Sequence, residues 1–84
     1  MKYTIRLSKR AQKFIKAQQP KQQERILKAI AKLPDEGDIK ALSGRNNAYR
    51  LRVGDYRVVY EVFHDILLVD VVNIGNRGQI YKSL

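Results

Sequence analysis

Arginines in the second half of the chain alternate with apolar residues in a pattern that could hold phosphate. Arg50 and Arg52 alternate with apolar side chains, and Arg57 follows five residues later. Residues 45–77 contain five of the eight arginines and no lysine. A guanidinium is a planar fork that stays protonated at physiological pH, so it can bind two phosphate oxygens at once. This segment therefore predicts a phosphate-binding surface.

Two strands joined by a tight turn must position these arginines. Apolar and polar residues alternate on both sides of Gly54-Asp55, a typical two-residue hairpin turn. With this turn Arg52 lies opposite Arg57, and directly opposed residues point to the same side of a sheet. We therefore expect Arg50, Arg52 and Arg57 to share one face. The other face should pack under helices and carry Tyr49, Leu51, Val53, Tyr56, Val58 and Tyr60.

Placing two arginines opposite each other lowers the stability of the fold, and this cost is informative. Like charges facing each other across two strands are unfavourable, so folding alone would not select Arg52 opposite Arg57. A locally unfavourable feature of this kind is expected where function requires it. The alternative is that Glu61 and Asp70 neutralise the arginines in surface ion pairs, although two acids cannot pair with several arginines.

The remaining segments predict one α+β domain over residues 1–84, with the order β-α-α-β-β-β. Two N-terminal helices should pack on one face of a small, mainly antiparallel sheet. Ser8 is a candidate N-cap, and Pro20 ends the first helix while suiting the first turn of the second. The predicted elements are a strand at 3–7, helices at 9–19 and 20–33, a connecting loop at 39–47, and a nearly continuous apolar strand at 66–74.

Composition points to a polyanionic partner. The net charge is +9 and the sequence pI is about 10.1, which favours nucleic acid over a membrane surface because the chain has no Trp and only two Phe. There is no cysteine, no apolar run long enough to cross a bilayer, and no secretory signal pattern at the start. We expect a cytoplasmic protein with no membrane association, whose lysine-rich helices are most simply a solvated face.

Further candidate residues follow the last strand. Gly75 can bend the chain so that Arg77 returns beside the cationic face, and Tyr81 and Lys82 come shortly after. A tyrosine near cations can stack on a base or orient a ribose hydroxyl, but Tyr81 could equally pack on the sheet edge. Arg45, Arg50, Arg52 and Lys82 are the predicted RNA-binding residues.

Other chemistries lack their residues. His64 is the only histidine and falls in a predicted turn, so a two-histidine ribonuclease mechanism is excluded. The carboxylates are mostly isolated along the chain, which argues against a two-metal nuclease centre. No glycine-rich phosphate loop is present. We expect neither a metal nor a small-molecule cofactor.

The quoted segments resemble the RelE-type toxins of type II toxin–antitoxin modules, within the RelE/ParE superfamily. The resemblance is carried by Tyr49-Arg50-Leu51-Arg52-Val53, by Gly54-Asp55-Tyr56-Arg57-Val58-Val59-Tyr60, and by Ile74-Gly75-Asn76-Arg77 followed by Ile80-Tyr81. It implies a ribosome-dependent, metal-independent endoribonuclease that cuts messenger RNA in the A site through attack of a ribose 2′-hydroxyl. It also implies silencing by a helical, RelB-like antitoxin.

The resemblance also implies residue roles. Arg57 would stabilise charge developing on the phosphate, Arg77 would contact the phosphate near the leaving oxygen, and Tyr81 would stack on or orient the nucleotide. Arg50 and Arg52 stand where the best-known members carry lysines. Because a guanidinium is a very poor base, this site lacks a convincing general base.

Two alternatives stay open within the same fold. A ParE-like toxin would inhibit DNA gyrase by binding protein, without cutting RNA. A plain RNA-binding module would use the cationic face without catalysis. Retention of both Arg77 and Tyr81 favours the ribonuclease.

Overall fold

The computed structural model describes residues 2–76, which form five strands and two helices. The predicted α+β class and the placement of both helices before the central hairpin are confirmed. The elements are β1 (Thr4–Leu7), α1 (Lys9–Lys16), α2 (Pro20–Ala31), β2 (Asp38–Ala41), β3 (Ala48–Val53), β4 (Tyr56–Phe63) and β5 (Leu68–Gly75).

All five strands form one sheet in the spatial order β1-β5-β4-β3-β2. β1 runs parallel to β5, and the other three pairings are antiparallel. A parallel neighbour requires a crossover, and here α1 and α2 lie within the connection that returns the chain to the sheet. β1 and β2 are therefore the two edges of the sheet.

The strand β2 corrects the sequence prediction, which had placed residues 39–47 in a connecting loop. Asp38–Ala41 pairs antiparallel with β3, with Ile39 opposite Leu51 and Lys40 opposite Arg50. Only Ile39 of this short strand packs against the core, so the apolar alternation that marks a strand was too brief to detect. The correction matters because β2 brings Asp38 to the arginines of β3.

The helix ends follow from local chemistry. The Ser8 side chain caps α1 by accepting a hydrogen bond from the backbone N–H of Ala11 at 3.1 Å, as predicted. The Ser8 hydroxyl also donates to the carbonyl of Val72 at 2.6 Å, which ties the start of α1 to β5. Pro20 occupies the first turn of α2, where its missing N–H has no intrahelical partner to lose.

The hairpin between β3 and β4 has the predicted register. Arg52 lies opposite Arg57 and Val53 lies opposite Tyr56, with Gly54 and Asp55 forming the turn. Gly54 has a φ of +58°, a left-handed conformation that a residue with a Cβ adopts at a cost. The guanidinium of Arg25 on α2 packs against Gly54, so a Cβ there would also meet it at 2.7 Å.

The core lies between the two helices and one face of the sheet. Ile26 and Ile30 of α2 pack with Leu51, Val58 and Tyr60 of the hairpin, and all five are almost completely buried. As predicted, Tyr49 and Tyr56 also pack on this face. Among residues 2–76, no helix packs on the opposite face of the sheet.

No helix among residues 2–76 is long and apolar enough to cross a membrane. Arg77, Tyr81 and Lys82 lie outside the described residues, so their predicted roles remain predictions.

Candidate functional site

The face of the sheet opposite α1 and α2 carries the arginines that the alternation predicted. Arg52 on β3 and Arg57 on β4 are directly opposed, and Arg50 lies on β3 two residues before Arg52. On the neighbouring edge strand, Lys40 pairs with Arg50. We call Lys40, Arg50, Arg52 and Arg57 the cationic sheet face.

Arg52 and Arg57 are the arginines of this face that make no ion pair among residues 2–76, although Asp38 on β2 lies opposite Arg52 in the register. Their guanidinium groups make no ion pair or hydrogen bond with any residue from 2 to 76. Arg52 is exposed and Arg57 is half-buried, and opposed Cα atoms in an antiparallel pair are about 4.5–5.5 Å apart. Two forked donors at this spacing can converge on a single phosphate group.

Arg50 differs because a carboxylate holds it. Its Nη2 donates to the Oδ1 of Asp38 at 3.2 Å and approaches the Asp38 carbonyl at 3.5 Å. The Arg50 side chain is only 15% exposed, and its buried Nε has no hydrogen-bond partner among the described residues. Arg50 is thus partly neutralised and fixed in place, in contrast to Arg52.

Arg45 is also near an acid, at the other end of the hairpin. Its Nη2 lies 3.9 Å from the Oε2 of Glu61, at the outer limit of an ion pair. The side chain of Arg45 is 46% exposed, so water screens this contact and its contribution is small. Arg45 stays available to a ligand.

The far edge of the sheet carries a closed ion pair. Arg6 on β1 donates to both carboxylate oxygens of Asp70 on β5, at 2.9 and 3.3 Å. The hydrogen bond to Asp70 and its charge raise the pKa of Arg6 above its usual value. The pairing of Asp70 with Arg6 means that Asp70 does not neutralise the cationic sheet face.

The alternative that Glu61 and Asp70 neutralise the arginines of this segment therefore holds only weakly, for Glu61 with Arg45. Asp70 pairs with Arg6 instead, and the acid that holds Arg50 is Asp38, which the alternative did not name. The alternative does not apply to Arg52 and Arg57 within residues 2–76. Sequence reasoning missed Asp38 because it lay in a predicted loop. The four residues of β2 are too few for alternation to predict the strand that places Asp38 beside Arg50.

The histidine and the described tyrosines lie away from the cationic sheet face. The Nδ1 of His64, in the turn after β4, is 2.6 Å from the hydroxyl of Tyr3 at the start of the chain, and the rings meet edge to face. His64 is seven residues from Arg57 along β4, or roughly 20 Å at the rise of an extended strand. A distance of this size excludes His64 as a base for a phosphate held at Arg57.

Tyr60 is equally unsuited to accept a proton. It is buried in the core and stacked on Tyr49, with ring centroids 5.6 Å apart. Burial, with a smaller contribution from Tyr49, raises the pKa of Tyr60 to about 12. The described part of the site therefore offers positive charge and hydrogen-bond donors, without a neutral base.

Residues 2–76 contain no cluster of three or more His, Cys, Asp or Glu side chains that could hold a metal ion. The chemistry that these residues can supply is the binding of anions.

Comparison with known proteins agrees with this architecture and charge. The family model for the ParE toxin of the type II toxin–antitoxin system parDE matches residues 5–81. A protein of Methanocaldococcus jannaschii named "Putative toxin RelE1" is 30% identical, over 99% of each chain. The chain therefore belongs to the RelE/ParE family of toxins from type II toxin–antitoxin systems.

Solved structures place the chain beside RelE proteins within that family. RelE in an archaeal RelE–RelB complex from Pyrococcus horikoshii OT3 is 25% identical, with a TM-score of 0.77 over 94% of this chain and 99% of that one. A chain of the Methanococcus jannaschii RelB–RelE complex is 29% identical, with a TM-score of 0.68 over 92% and 95%. A free mutant of Escherichia coli RelE shares the fold, with a TM-score of 0.80 at 22% identity over 99% and 94%.

Proposed function

We propose that this toxin is a ribosome-dependent endoribonuclease that cuts messenger RNA in the A site without a metal ion. In this reaction the ribose 2′-hydroxyl attacks the adjacent phosphate, giving a cyclic phosphate and a free 5′-hydroxyl. Kinship with RelE proteins supports the class of reaction.

The observation that carries the proposal is the Arg52–Arg57 pair. Two opposed arginines make no ion pair with an acid among residues 2–76, although Asp38 stands opposite Arg52 in the strand register, and no helix among these residues covers their face of the sheet. An anion held between them would remove their mutual repulsion, and a phosphate matches the geometry of both forks. The pair is therefore positioned to stabilise negative charge on the phosphate under attack.

The proposed roles now separate the arginines. Arg57 stabilises charge on the phosphate, and Arg52 shares that contact. Arg50, held by Asp38, is better suited to a fixed contact with the neighbouring backbone, and exposed Arg45 to an outer contact. The roles of the C-terminal residues, which lie outside the described residues, are proposed from the family pattern: Arg77 contacts the leaving side, Tyr81 stacks on or orients the nucleotide, and Lys82 contacts RNA.

A mechanism without a strong base is compatible with this site. Arginine cannot accept the 2′-hydroxyl proton at physiological pH, and His64 and Tyr60 lie elsewhere. Electrostatic stabilisation of the phosphate and alignment of the 2′-hydroxyl by the ribosome can each supply large rate factors. This proposal makes the ribosome a required partner, since it would supply the in-line geometry.

A cognate antitoxin is the other proposed partner. The archaeal relatives were solved as complexes with RelB, which supports a RelB-like helical protein here. An acidic or amphipathic segment is expected, because it must cover the cationic sheet face or a groove beside the helices.

Gyrase inhibition is the second candidate, because the family model that matches the chain is that of ParE toxins. In that case the protein would bind gyrase and leave RNA intact.

Primer extension on a message in programmed ribosomes tests the nuclease, with Mg²⁺ kept at the level that ribosomes need and other metal ions chelated. We expect cuts in the wild type. The cutting rate of Arg57→Gln should be lower by about 100-fold or more, as for loss of a donor to a developing oxyanion. Arg6→Gln is the matched control, because Arg6 lies on the same side of the sheet but is paired with Asp70. Its rate should stay within about twofold of the wild type, as is usual for exposed ion pairs.

Intact message on ribosomes together with inhibited DNA supercoiling by gyrase would replace the nuclease with the ParE-type activity. Equal loss of cutting in Arg57→Gln and Arg6→Gln would reject the assigned site while leaving the nuclease in place.

A further inference from the structure

Most of the net positive charge of this protein lies on the helices, away from the cationic sheet face. Residues 9–32 carry eight cations and a single acid, Glu24, so they hold a net +7 of the chain's +9. All eight cations are exposed. We call these eight residues the helix surface: Lys9, Arg10, Lys13, Lys16, Lys21, Arg25, Lys28 and Lys32.

The pattern of charge on the helix surface is unlike that of an ordinary solvated face. Soluble surfaces usually intersperse both signs, and helices gain stability from opposite charges four residues apart. Here one such pair is favourable, Lys28 with Glu24 at 3.0 Å. Three pairs at the same spacing are like-charged: Lys9 with Lys13, Lys21 with Arg25, and Lys28 with Lys32. The like charges therefore lower the stability of the helices, so helix stability does not explain this pattern.

The type of cation also differs between the two surfaces. Six of the eight cations on the helix surface are lysines, whereas three of the four on the cationic sheet face are arginines. Lysine acts as a hydrated point charge on a flexible stem, and arginine as a fixed fork. Lysines suit an extended row of phosphates whose exact position varies, and arginines suit one phosphate held in register.

The two surfaces face away from each other. α1 and α2 pack on the face of the sheet that carries Leu51, Val58 and Tyr60, and the cationic sheet face is its reverse. One short strand of RNA in contact with Arg52 and Arg57 cannot also lie along the outer sides of the helices. Charge on the helix surface must serve a second segment of polyanion.

A protein or a membrane fits the helix surface less well than RNA. The cores of protein interfaces are depleted in lysine and enriched in aromatic residues, and this surface has the opposite composition. Membrane-surface helices need a broad apolar side, yet Leu27 is the one large hydrophobic residue exposed on the described helices. Folded RNA, with its dense phosphate rows, requires neither feature.

We propose that the helix surface is a second RNA-binding surface, which grips the phosphate backbone of folded RNA while the cationic sheet face holds the strand to be cut. This inference rests on the proposed ribosomal function, in which the folded RNA is ribosomal RNA. The helices would then bind ribosomal RNA, and the sheet would bind the messenger RNA.

Binding of a fluorescent RNA hairpin over a range of salt concentrations tests the helix surface without any need for cutting. Two variants lose the same net charge: Lys13→Gln/Lys21→Gln on the helix surface, and Lys2→Gln/Arg6→Gln outside both surfaces. We expect the first to lower affinity about 10-fold and to reduce the slope of log Kd against log salt by roughly 1.5, which corresponds to two lost phosphate contacts. The second should change affinity less than about twofold. Glutamine is a good helix former, and circular dichroism melts check that both variants fold.

The same variants are then tested for binding to ribosomes without message and for cutting on programmed ribosomes. If the wild type cuts message and the two double variants bind the hairpin equally well, the helix surface does not bind RNA. The proposed nuclease activity would then be unaffected. Loss of hairpin and ribosome binding in the helix variant, with no cutting by the wild type, would support the surface and reject the nuclease. Tighter binding to vesicles of anionic phospholipid than to the hairpin would also overturn the inference.

Discussion

The four cations of the cationic sheet face are not equivalent, because their acidic neighbours differ. Asp38 partly neutralises Arg50 and fixes it, while Arg52 and Arg57 make no ion pair with an acid among residues 2–76, although Asp38 lies opposite Arg52 in the register. A cation that already has a counter-ion gains less from a phosphate, because binding must break or share the existing contact. We therefore expect affinity for RNA to depend more on Arg52 and Arg57 than on Arg50.

Asp38→Asn tests this argument at a single carboxylate. Asparagine keeps the shape of the side chain but frees Arg50, so single-stranded RNA should bind about 2- to 5-fold more tightly, as the small worth of an exposed pair implies. The salt dependence of log Kd should steepen by about 0.7, the value of one added contact to a single strand. Fluorescence anisotropy with a short uncut oligonucleotide measures both.

Asp65→Asn is the control, since Asp65 is exposed in the turn after β4 and changes the net charge equally. Equal gains in affinity for the two variants would mean that overall charge, rather than release of Arg50, governs binding.

At the scale of elements, the connection between α1 and β5 holds the sheet and the helices together. Ser8 accepts from Ala11 to cap α1 and donates to Val72 of β5, and its own N–H donates to Val71. β5 also supports the hairpin strand β4, with Gly75 opposite Arg57. One hydroxyl thus links the start of the helix layer to the strand beside the site.

Ser8→Ala should lower the free energy of unfolding by about 1–2 kcal/mol, because it removes the cap and leaves the Val72 carbonyl without this donor. Urea denaturation followed by circular dichroism gives the value. Ser43→Ala, in an exposed loop, is the matched control and should stay within about 0.5 kcal/mol of the wild type. A loss below about 0.5 kcal/mol for Ser8→Ala would show that water replaces both bonds.

For the whole molecule, the uneven distribution of charge predicts an unusual response to salt. The three like-charged pairs on the helices each cost about 0.2–0.5 kcal/mol at low ionic strength, or about 1 kcal/mol together. Raising the salt from about 0.01 M to about 0.15 M shortens the screening length from about 30 Å to about 8 Å. Because the paired side chains are about 5–6 Å apart, roughly half of this repulsion is screened, and the Tm should rise by roughly 2–4 °C.

Calorimetry or circular dichroism melts at the two salt concentrations measure this rise in Tm. It should shrink by about half or more in Lys13→Gln/Lys21→Gln, which breaks two of the three pairs. Lys2→Gln/Arg6→Gln should retain it. A Tm independent of salt in the wild type would show that the helices tolerate their charge without repulsion.

Much of the hairpin and its two faces could be predicted from the sequence, because strand alternation and a two-residue turn are local properties. Gly54-Asp55 set the register that places Arg52 opposite Arg57, and Ser8 marked the start of α1. The family resemblance was readable for the same reason, since two of the segments that carry it are the strands of this hairpin.

Only the tertiary structure decided which arginines have counter-ions. Asp38 reaches Arg50 across the unpredicted strand β2, twelve residues away in sequence, and Asp70 reaches Arg6 across sixty-four. Such partners depend on which strands become neighbours in the sheet, and alternation along one strand carries no information on that order. The same holds for the helix surface, whose charge was visible in the sequence but whose position behind the cationic sheet face depends on how the helices pack.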